Sequence, residues 1–272
     1  MSPQQLLAML AATVGDDVLA ISERHLDLSA RAAQGNQAER AAVAIVSVTG
    51  ALSARGYRSF FGAVEGMASL RARLGAAARD PNVSAIVLDI DSPGGTVAGT
   101  SETAAAVAAA RAAKPVVAVA NGLAASAAYW IGSQATEFVM APNALAGSVG
   151  VISVHLNWAK AAAEAGVEPT IVRSGARKAE GHPWGPLDDT ARAAMQARVD
   201  EAFASFVDAV AAGRGMSAKA ARERFGDGRI LGADEAVSTG LADRVATLDA
   251  VVADLAAGKK RAWGRRSAIA FR

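Results

Sequence analysis

One serine of the sequence lies in a setting that suits nucleophilic catalysis. Ser126 follows an uncharged apolar stretch and is surrounded by small residues in the segment Asn121–Ala128. This pattern predicts a buried strand, a turn at the serine and a helix after it. Ser126 and the N–H group of Ala127 would then face a substrate carbonyl. A serine that only caps a helix is a common alternative, and the neighbouring residues leave it open.

A second segment that could take part in catalysis is Ser92–Gly95. It reads Ser-Pro-Gly-Gly and follows a predicted strand. Two glycines allow the backbone to approach a ligand closely and to point N–H groups into a cleft. Such a turn suits an oxyanion hole. Taken alone, the segment is explained equally well by a tight connection between a strand and a helix.

A serine nucleophile needs a general base, and the sequence offers few candidates. Of the three histidines, His25 lies in an N-terminal arm, His155 follows a predicted strand and His182 lies in a loop, and no aspartate has a spacing that selects one of them. A lysine can act as the base when burial lowers its pKa toward neutrality. Lys178 follows a predicted strand and a glycine turn, but its position alone does not distinguish it from other loop lysines.

The elements that position these residues alternate between strand and helix, which predicts a parallel sheet with helical crossovers. Strands are predicted at Ala42–Val48, Ser84–Asp91, Pro115–Ala120, Glu137–Met140, Val149–Val154 and Glu168–Arg173. Helices are predicted at Phe60–Arg79, Thr96–Ala113, Ala124–Ala135 and Asn157–Ala165. From Asp188 onward the pattern becomes mainly helical, with one long helix to Gly213 and two short ones that Ser217 and Asp234 would cap.

Composition bounds the class of protein. The chain has 272 residues, of which 52% are hydrophobic and 20% charged, enough to bury the core of one sizeable domain. The absence of cysteine excludes disulfides, a thiolate nucleophile and thiolate metal sites. Much of the basic excess lies in a tail at 259–272, for which a solvated terminus is a simpler explanation than a nucleic-acid site.

No membrane span is expected. Residues 1–40 are predicted to form a helical arm, and Met1–Val14 lacks the basic lead of a secretory signal. The uncharged stretch Pro115–Thr136 is long enough to cross a bilayer. However, its polar residues and glycine favour a strand, a turn and a helix instead; these are Asn121, Gly122, Ser126, Ser133 and Gln134.

Taken in order, the motifs strongly resemble those of the signal peptide peptidase A family of serine peptidases. The order is Ser92–Gly95, the serine among small residues, Gly147–Val151 (Gly-Ser-Val-Gly-Val) and Ser174–Lys178 (Ser-Gly-x-x-Lys). The resemblance runs from about Ala42 to Leu255. Within the family it is greatest to the phage and prophage capsid assembly proteases, on two further segments. These are Asp89–Gly99 and Ser174–Pro183.

The resemblance implies a role for each candidate residue. Ser126 would be the nucleophile and Lys178 the base of a Ser/Lys dyad. Gly95 and Ala127 would supply the N–H groups of the oxyanion hole, and Ser148 would orient the lysine amine. No cofactor or metal is implied. Asp89 and Asp91 are interpreted as structural residues at the end of a strand, not as a triad acid.

The implied fold is an α/β crotonase-like spiral of ββα units, shared with the caseinolytic protease, with a helical C-terminal region. We expect a peptidase domain at 41–258, in which the mainly helical part 188–258 serves oligomerisation. Family members form rings or domes, and in some the serine and the lysine come from neighbouring subunits. The expected setting is the bacterial cytoplasm, with the chain encoded by a phage or prophage and associated with the procapsid.

Four functions are compatible with these patterns. The first is an endopeptidase that cleaves capsid or scaffold proteins during phage head maturation, and the second is a cytoplasmic peptidase that degrades peptides. The third, a crotonase-like acyl-CoA enzyme, lacks an obvious glutamate base and leaves Ser126 without a role. The fourth is a catalytically silent, capsid-associated protein with the same fold. No nucleic acid is required by any of them.

Overall fold

The computed structural model describes residues 42–59, 62–64 and 66–258. They form two compact units, which are treated separately. One is Val151–Ala204, and the other consists of the described residues of Ile21–Gly150 and Ser205–Arg272. The predicted arm at 1–40 and the basic tail at 259–272 lie outside the described residues.

The strands of the described chain all lie in the second unit. In chain order they are β1 (Ala42–Thr49), β2 (Tyr57–Ser59), β3 (Gly62–Val64), β4 (Val83–Ser92), β5 (Val116–Ala125), β6 (Glu137–Met140), β7 (Leu145–Gly147), β8 (Ile230–Gly232) and β9 (Arg244–Val245).

The helices are distributed over both units. In chain order they are α1 (Met67–Arg79), α2 (Thr100–Ala113), α3 (Ala127–Gly132), α4 (Ala159–Glu164), α5 (Asp189–Arg214), α6 (Ala218–Phe225), α7 (Ala233–Thr239) and α8 (Leu248–Ala256).

A seven-stranded sheet forms the centre of the second unit. Its main path runs β1-β4-β5-β6-β9, and every pair along it is parallel. Parallel neighbours need a crossover connection, and α1, α2 and α3 follow β3, β4 and β5 in that role. The predicted α/β class, a parallel sheet with helical crossovers, is confirmed, and the architecture agrees with the crotonase-like class that the resemblance implies.

Strand β5 changes its partner along its length. Residues Val117–Ala120 pair with β6, whereas Leu123–Ala125 pair with β7, which in turn pairs antiparallel with β8. The strand therefore leads from the buried centre of the sheet to a small extension at its edge. Ser126 is the first residue after it.

Both faces of the sheet are covered by helices. On one face, Val251 of α8 packs against the valines of three strands, which are Val87, Val117, Val119 and Val139. On the other, α1, α2 and α3 contact β4 and β5. The alanine-rich sequence of α2 favours a helix, and its small side chains allow close packing. Burial on both faces explains why β4 and β5 read as continuous apolar runs.

The C-terminal helices of the second unit pack onto the segment that follows Ser126. The Tyr129 hydroxyl donates to the carbonyl of Leu241 at 2.8 Å, and the Trp130 ring stacks on Phe206 with centroids 4.7 Å apart. The predicted helical character of this region is confirmed, although β8 and β9 interrupt it. Its predicted role in oligomerisation stays a prediction.

Several predicted elements are wrong or shifted. The segments Val149–Val154 and Glu168–Arg173 have strand-like sequences but form no strand in the described chain, because propensity without a partner makes no ladder. The helix predicted from Phe60 begins at Met67, after the β2–β3 pair. Ser217 caps α6 as predicted, but Gly232, not Asp234, precedes the first residue of α7.

Candidate active site

Ser126 lies where β5 ends and α3 begins, as predicted, in a strained backbone conformation. It is half-buried, with φ 52° and ψ −123°. Its N–H donates to the carbonyl of Gly147 at 2.9 Å, and its carbonyl accepts from Trp130 N–H at 2.9 Å. A non-glycine residue in such a conformation costs about 1–3 kcal/mol and persists where the surrounding structure imposes it. Strain of this kind is concentrated at functional sites.

Ser148 directly follows the neighbouring strand β7 and, like Ser126, has a positive φ. In the register of β5 and β7, Ala125 pairs with Gly147, so the two serines come next on adjacent strands. Ser148 is half-buried, has φ 54° and donates its N–H to Arg229 at 2.7 Å. Among the described residues, Ser126 and Ser148 are the non-glycine residues with positive φ. Since paired strands lie about 5 Å apart, the serines emerge side by side.

The turn at Ser92–Gly95 packs against the candidate nucleophile through Gly94. This glycine is buried, with φ +96°. A Cβ at this position would lie 2.8 Å from the Cβ of Ser126 and 2.9 Å from the nitrogen of Ala127. The turn is held by the Ser92 hydroxyl, which donates to Gly50 O at 2.6 Å and accepts from Gly94 N–H at 3.1 Å. The two segments chosen from the sequence therefore meet.

Gly95 forms a parallel bridge with Leu52. The hydrogen bonds of this bridge come from its neighbours, since Gly94 O accepts from Leu52 N–H at 2.8 Å and Thr96 N–H donates to Leu52 O at 2.9 Å. In a parallel bridge the central residue points its own N–H away from the partner. The N–H of Gly95 is therefore directed away from Leu52, and the residue is exposed.

The chain matches the model of peptidase family S49 over residues 108–262, more than half of its length. The chain belongs to peptidase family S49. The matched range includes Ser126, Ser148 and Lys178 and begins after Gly95. The family assignment agrees with the resemblance inferred from the motifs.

Two curated phage proteins have sequences similar to this chain. The chain is 35% identical over 205 residues to Capsid assembly protease C of Escherichia phage lambda, covering 75% of this chain and 46% of that protein. Head-tail preconnector protein GP5 of Enterobacteria phage P21 is also 35% identical over 205 residues, with 75% and 40% covered. The chain spans less than half the length of these two relatives. Among solved structures, a mutant of the 1510-N membrane-bound stomatin-specific protease matches with a TM-score of 0.49 and 17% identity, covering 77% of this chain and 82% of that chain.

The other member of the predicted dyad, Lys178, lies in the unit Val151–Ala204 of this S49 chain. It ends a turn that starts at Gly175, whose carbonyl accepts the Lys178 N–H at 3.2 Å. The Lys178 residue is exposed. Its neighbour Arg177 forms an ion pair with Glu180 at 3.6 Å.

The histidines of the unit Val151–Ala204 have structural contacts. His155 Nε2 donates to the carbonyl of His182 at 3.0 Å, and His182 Nδ1 accepts the Trp184 N–H at 3.0 Å. A cavity of about 670 Å³ in this unit includes His155 and Arg192 in its lining, but none of the predicted site residues. Across the described ranges, no cluster of His, Asp or Glu is arranged to hold a metal ion, and no helix is long and apolar enough to cross a membrane.

Sequence reasoning selected Gly95 and missed its neighbour Gly94, which makes the contact with Ser126. Nothing in the Ser-Pro-Gly-Gly pattern ranks one glycine over the other.

The substitution Gly94→Ala is expected to destabilise the protein by about 2–4 kcal/mol, because Gly94 has a positive φ and an added Cβ would overlap Ser126. Gly228→Ala is the matched control, since Gly228 has φ +79° and no atom within 4 Å of an added Cβ. Gly228→Ala should lower the free energy of unfolding, measured in urea, by about 1 kcal/mol. Equal losses for the two variants would contradict the close contact between Gly94 and Ser126.

The carboxylates at the end of β4 support the next strand, in line with their interpretation as structural residues. Burial raises the pKa of Asp89 above its usual value, a hydrogen bond from the Asn121 side chain lowers it, and the charge of Asp91 raises it. Asp91 Oδ1 accepts the Leu123 N–H at 3.1 Å. Both acids therefore contact the segment of β5 that precedes Ser126.

The raised pKa of Asp89 predicts a pH dependence of stability. A folded-state pKa above the unfolded value means that the folded protein binds the proton more tightly. The Asp89 contribution is thus fully present below the unfolded pKa of 3.8 and is lost as the pH rises through the folded pKa. Asp89→Asn keeps a neutral acceptor for Asn121, and we expect its Tm relative to the unmodified protein to increase between pH 4 and pH 8. A Tm difference that is constant or decreases over this range would contradict the sign of the shift.

Proposed function

We propose that this chain is a serine endopeptidase with a Ser/Lys dyad, in which Ser126 is the nucleophile and Lys178 the general base. The observation that carries the proposal is the strained, half-buried Ser126 at the end of β5, with Gly94 packed against it. The backbone conformation fixes the position of the Ser126 Cβ at the junction of β5 and α3. Membership of peptidase family S49 supports the same reaction class.

In the proposed reaction, Ser126 Oγ attacks the carbonyl carbon of the scissile peptide bond and its proton passes to the neutral Lys178 amine. The tetrahedral intermediate collapses as the C–N bond breaks, and the Lys178 ammonium donates the proton to the leaving amine. Lys178 then takes a proton from water, whose oxygen attacks the ester carbonyl. The second tetrahedral intermediate collapses as the bond between its carbon and Ser126 Oγ breaks. The Lys178 ammonium returns its proton to Ser126 Oγ, and the carboxylic acid is released.

The negative oxygen of the tetrahedral intermediate needs donors that are already in place. We assign this role to the N–H groups of Gly95 and Ala127. Support comes from the bridge that turns Gly95 N–H away from Leu52 and from the contact of Gly94 with the Ala127 nitrogen. Ser148 would accept or donate a hydrogen bond at the Lys178 amine, since it emerges beside Ser126 from the adjacent strand.

A lysine base works only when part of its population is neutral, which burial favours. Lys178 is exposed in the single chain. We therefore include a homo-oligomer in the proposal, in which a neighbouring subunit or a bound substrate covers the lysine. The helical region 188–258 within the peptidase domain 41–258 would contribute to this assembly.

For the substrate we propose capsid or scaffold proteins of a phage head, cleaved in the cytoplasm of a bacterial host. The support is the pair of phage relatives, whose names describe a capsid assembly protease and a head-tail preconnector protein. A general peptide-degrading role is the alternative within the same chemistry. The two are distinguished by whether cleavage is confined to a few sites in folded capsid and scaffold proteins.

The experiment uses a mixture of random-sequence peptides, with new termini read by mass spectrometry. We expect the unmodified chain to generate new termini and Ser126→Ala to generate none. Ser101→Ala, at an exposed position of α2, is the matched control and should behave like the unmodified chain. If the unmodified chain makes no new termini and takes up no fluorophosphonate, the peptidase proposal is wrong and a catalytically silent protein remains.

A further inference from the structure

The register between β4 and β5 contains a bulge just before the candidate nucleophile. Ile90 pairs with Ala120 and Ser92 pairs with Ala124. Between these pairs β4 has a single residue, Asp91, whereas β5 has the three residues Asn121–Leu123. Bulges of this kind redirect a strand and are common beside functional sites. Three residues opposite one need additional contacts, because the ladder no longer pairs them.

Side chains of β4 contact each of the three residues of the bulge. The Asp91 carboxylate accepts Leu123 N–H at 3.1 Å. It also lies directly over Gly122, where an added Cβ would be 2.6 Å from Oδ1 and 2.9 Å from Cγ. The Asn121 side chain hydrogen-bonds to Asp89. The bulge therefore follows the Asp91 side chain, whose carboxylate lies where a Cβ at Gly122 would be.

The bulge sets where β5 ends. Leu123, the last residue of the bulge, pairs with β7, and Ala124 and Ala125 continue this register. The Ser126 N–H then donates to Gly147 O at 2.9 Å. Without the two extra residues of β5, Ser92 would pair with Gly122 instead of Ala124, and Ser126 would lie two residues farther along the sheet. The main chain of Asp91 is held as well, since its carbonyl accepts Gly50 N–H at 3.0 Å.

Asp91 also lies next to the turn Ser92–Gly95, which packs against Ser126. It directly precedes Ser92, whose hydroxyl holds Gly94 against Ser126. We propose that Asp91 is a positioning residue, which aligns Ser126 with the Gly94–Gly95 turn by supporting the bulge at Asn121–Leu123. This inference rests on the proposed function for its effect on catalysis, whereas its structural part is independent of it.

The first test measures the rate at which a fluorophosphonate modifies Ser126. We expect Asp91→Ala to lower this rate on the order of 100-fold, because a displacement of about 1 Å has that effect on a reacting group. Asp91→Asn keeps an acceptor oxygen at the same place and should retain the rate within roughly 10-fold. Asp80→Ala is the matched control, since the exposed Asp80 carboxylate also accepts one backbone N–H, from Asn82 at 2.9 Å. An Asp91→Ala variant that reacts at the unmodified rate would overturn the proposal.

The second test is independent of activity and measures amide hydrogen exchange in the full chain. Asp91→Ala should accelerate exchange at Leu123–Ser126 and leave β6 unchanged. If Asp91→Ala does not fold, Gly122→Ala tests the same contact by pushing a methyl group into the carboxylate. Unchanged exchange at Leu123–Ser126 would overturn the positioning role. If the unmodified chain neither reacts nor cleaves, but Asp91→Ala shows the expected faster exchange, only the proposed function is refuted.

Discussion

Replacement of Lys178 by alanine is expected to lower the rate of peptide-bond hydrolysis by about 10³-fold or more, because a nucleophile and its base act as a unit. The Ser126 hydroxyl is a weak nucleophile until a base takes its proton. Since Lys178 is exposed and lies in a turn, the same substitution should leave the Tm of the chain nearly unchanged. A large loss of rate without a loss of stability is the expected signature of a catalytic lysine.

Two further variants make the Lys178 prediction specific. Arg177→Ala removes the neighbouring exposed cation and the same unit of charge, and should keep nearly full activity. Lys178→Arg should not restore activity, because a guanidinium does not release its proton at neutral pH. Activity that survives Lys178→Ala within a few-fold would remove the lysine from the mechanism while leaving Ser126 in it.

Replacement of Asp243 by alanine is expected to destabilise the protein by about 3–5 kcal/mol, by leaving a buried cation without its partner. The Arg214 side chain is 3% exposed and binds Asp243 through two hydrogen bonds of 2.8 Å. Asp243 also accepts Phe138 N–H at 2.7 Å, so the pair ties α5 to the start of β6. Burial lowers the pKa of Arg214, but the hydrogen bond to Asp243 and the negative charges of Asp243 and Glu137 raise it overall, so the cation persists.

The control for Asp243 is an exposed ion pair in the same unit. Lys219 and Glu223 lie 3.9 Å apart on α6 with side chains 84% and 64% exposed. Glu223→Ala removes the same charge and should change the free energy of unfolding by only about 0.5 kcal/mol. Urea unfolding of the two variants measures the difference. A loss for Asp243→Ala no larger than that for Glu223→Ala would contradict the buried ion pair.

The position of Ser126 could be predicted because its signals are local. An uncharged run of β-branched and small residues marks a buried strand, and the small residues around the serine mark the change to a helix. The family resemblance, not the residue pattern, selected Lys178. The pairing of the Ser126 and Ser148 turns was not predicted, since it depends on the register of β5 on β7.

The end of β5 was predicted too early for a physical reason. Asn121-Gly122 is a typical turn signal, so the strand was expected to stop at Ala120. In the structure this dipeptide forms the bulge, and Asp91, 32 residues from Leu123 in sequence, supports it. A contact between residues so far apart leaves no periodic signal in either segment. The same limit applies to Val149–Val154 and Glu168–Arg173, where β-branched residues predict strands but no partner strand is present in the described chain.

The most direct test of the central proposal is to map the site of fluorophosphonate modification on the full chain. Intact mass spectrometry followed by peptide mapping gives both the number of adducts and the residue that carries them. We predict one adduct per chain, on Ser126, and none in Ser126→Ala. An adduct on another serine such as Ser148, or peptide hydrolysis by the Ser126→Ala variant, would contradict the assignment of Ser126 as the nucleophile.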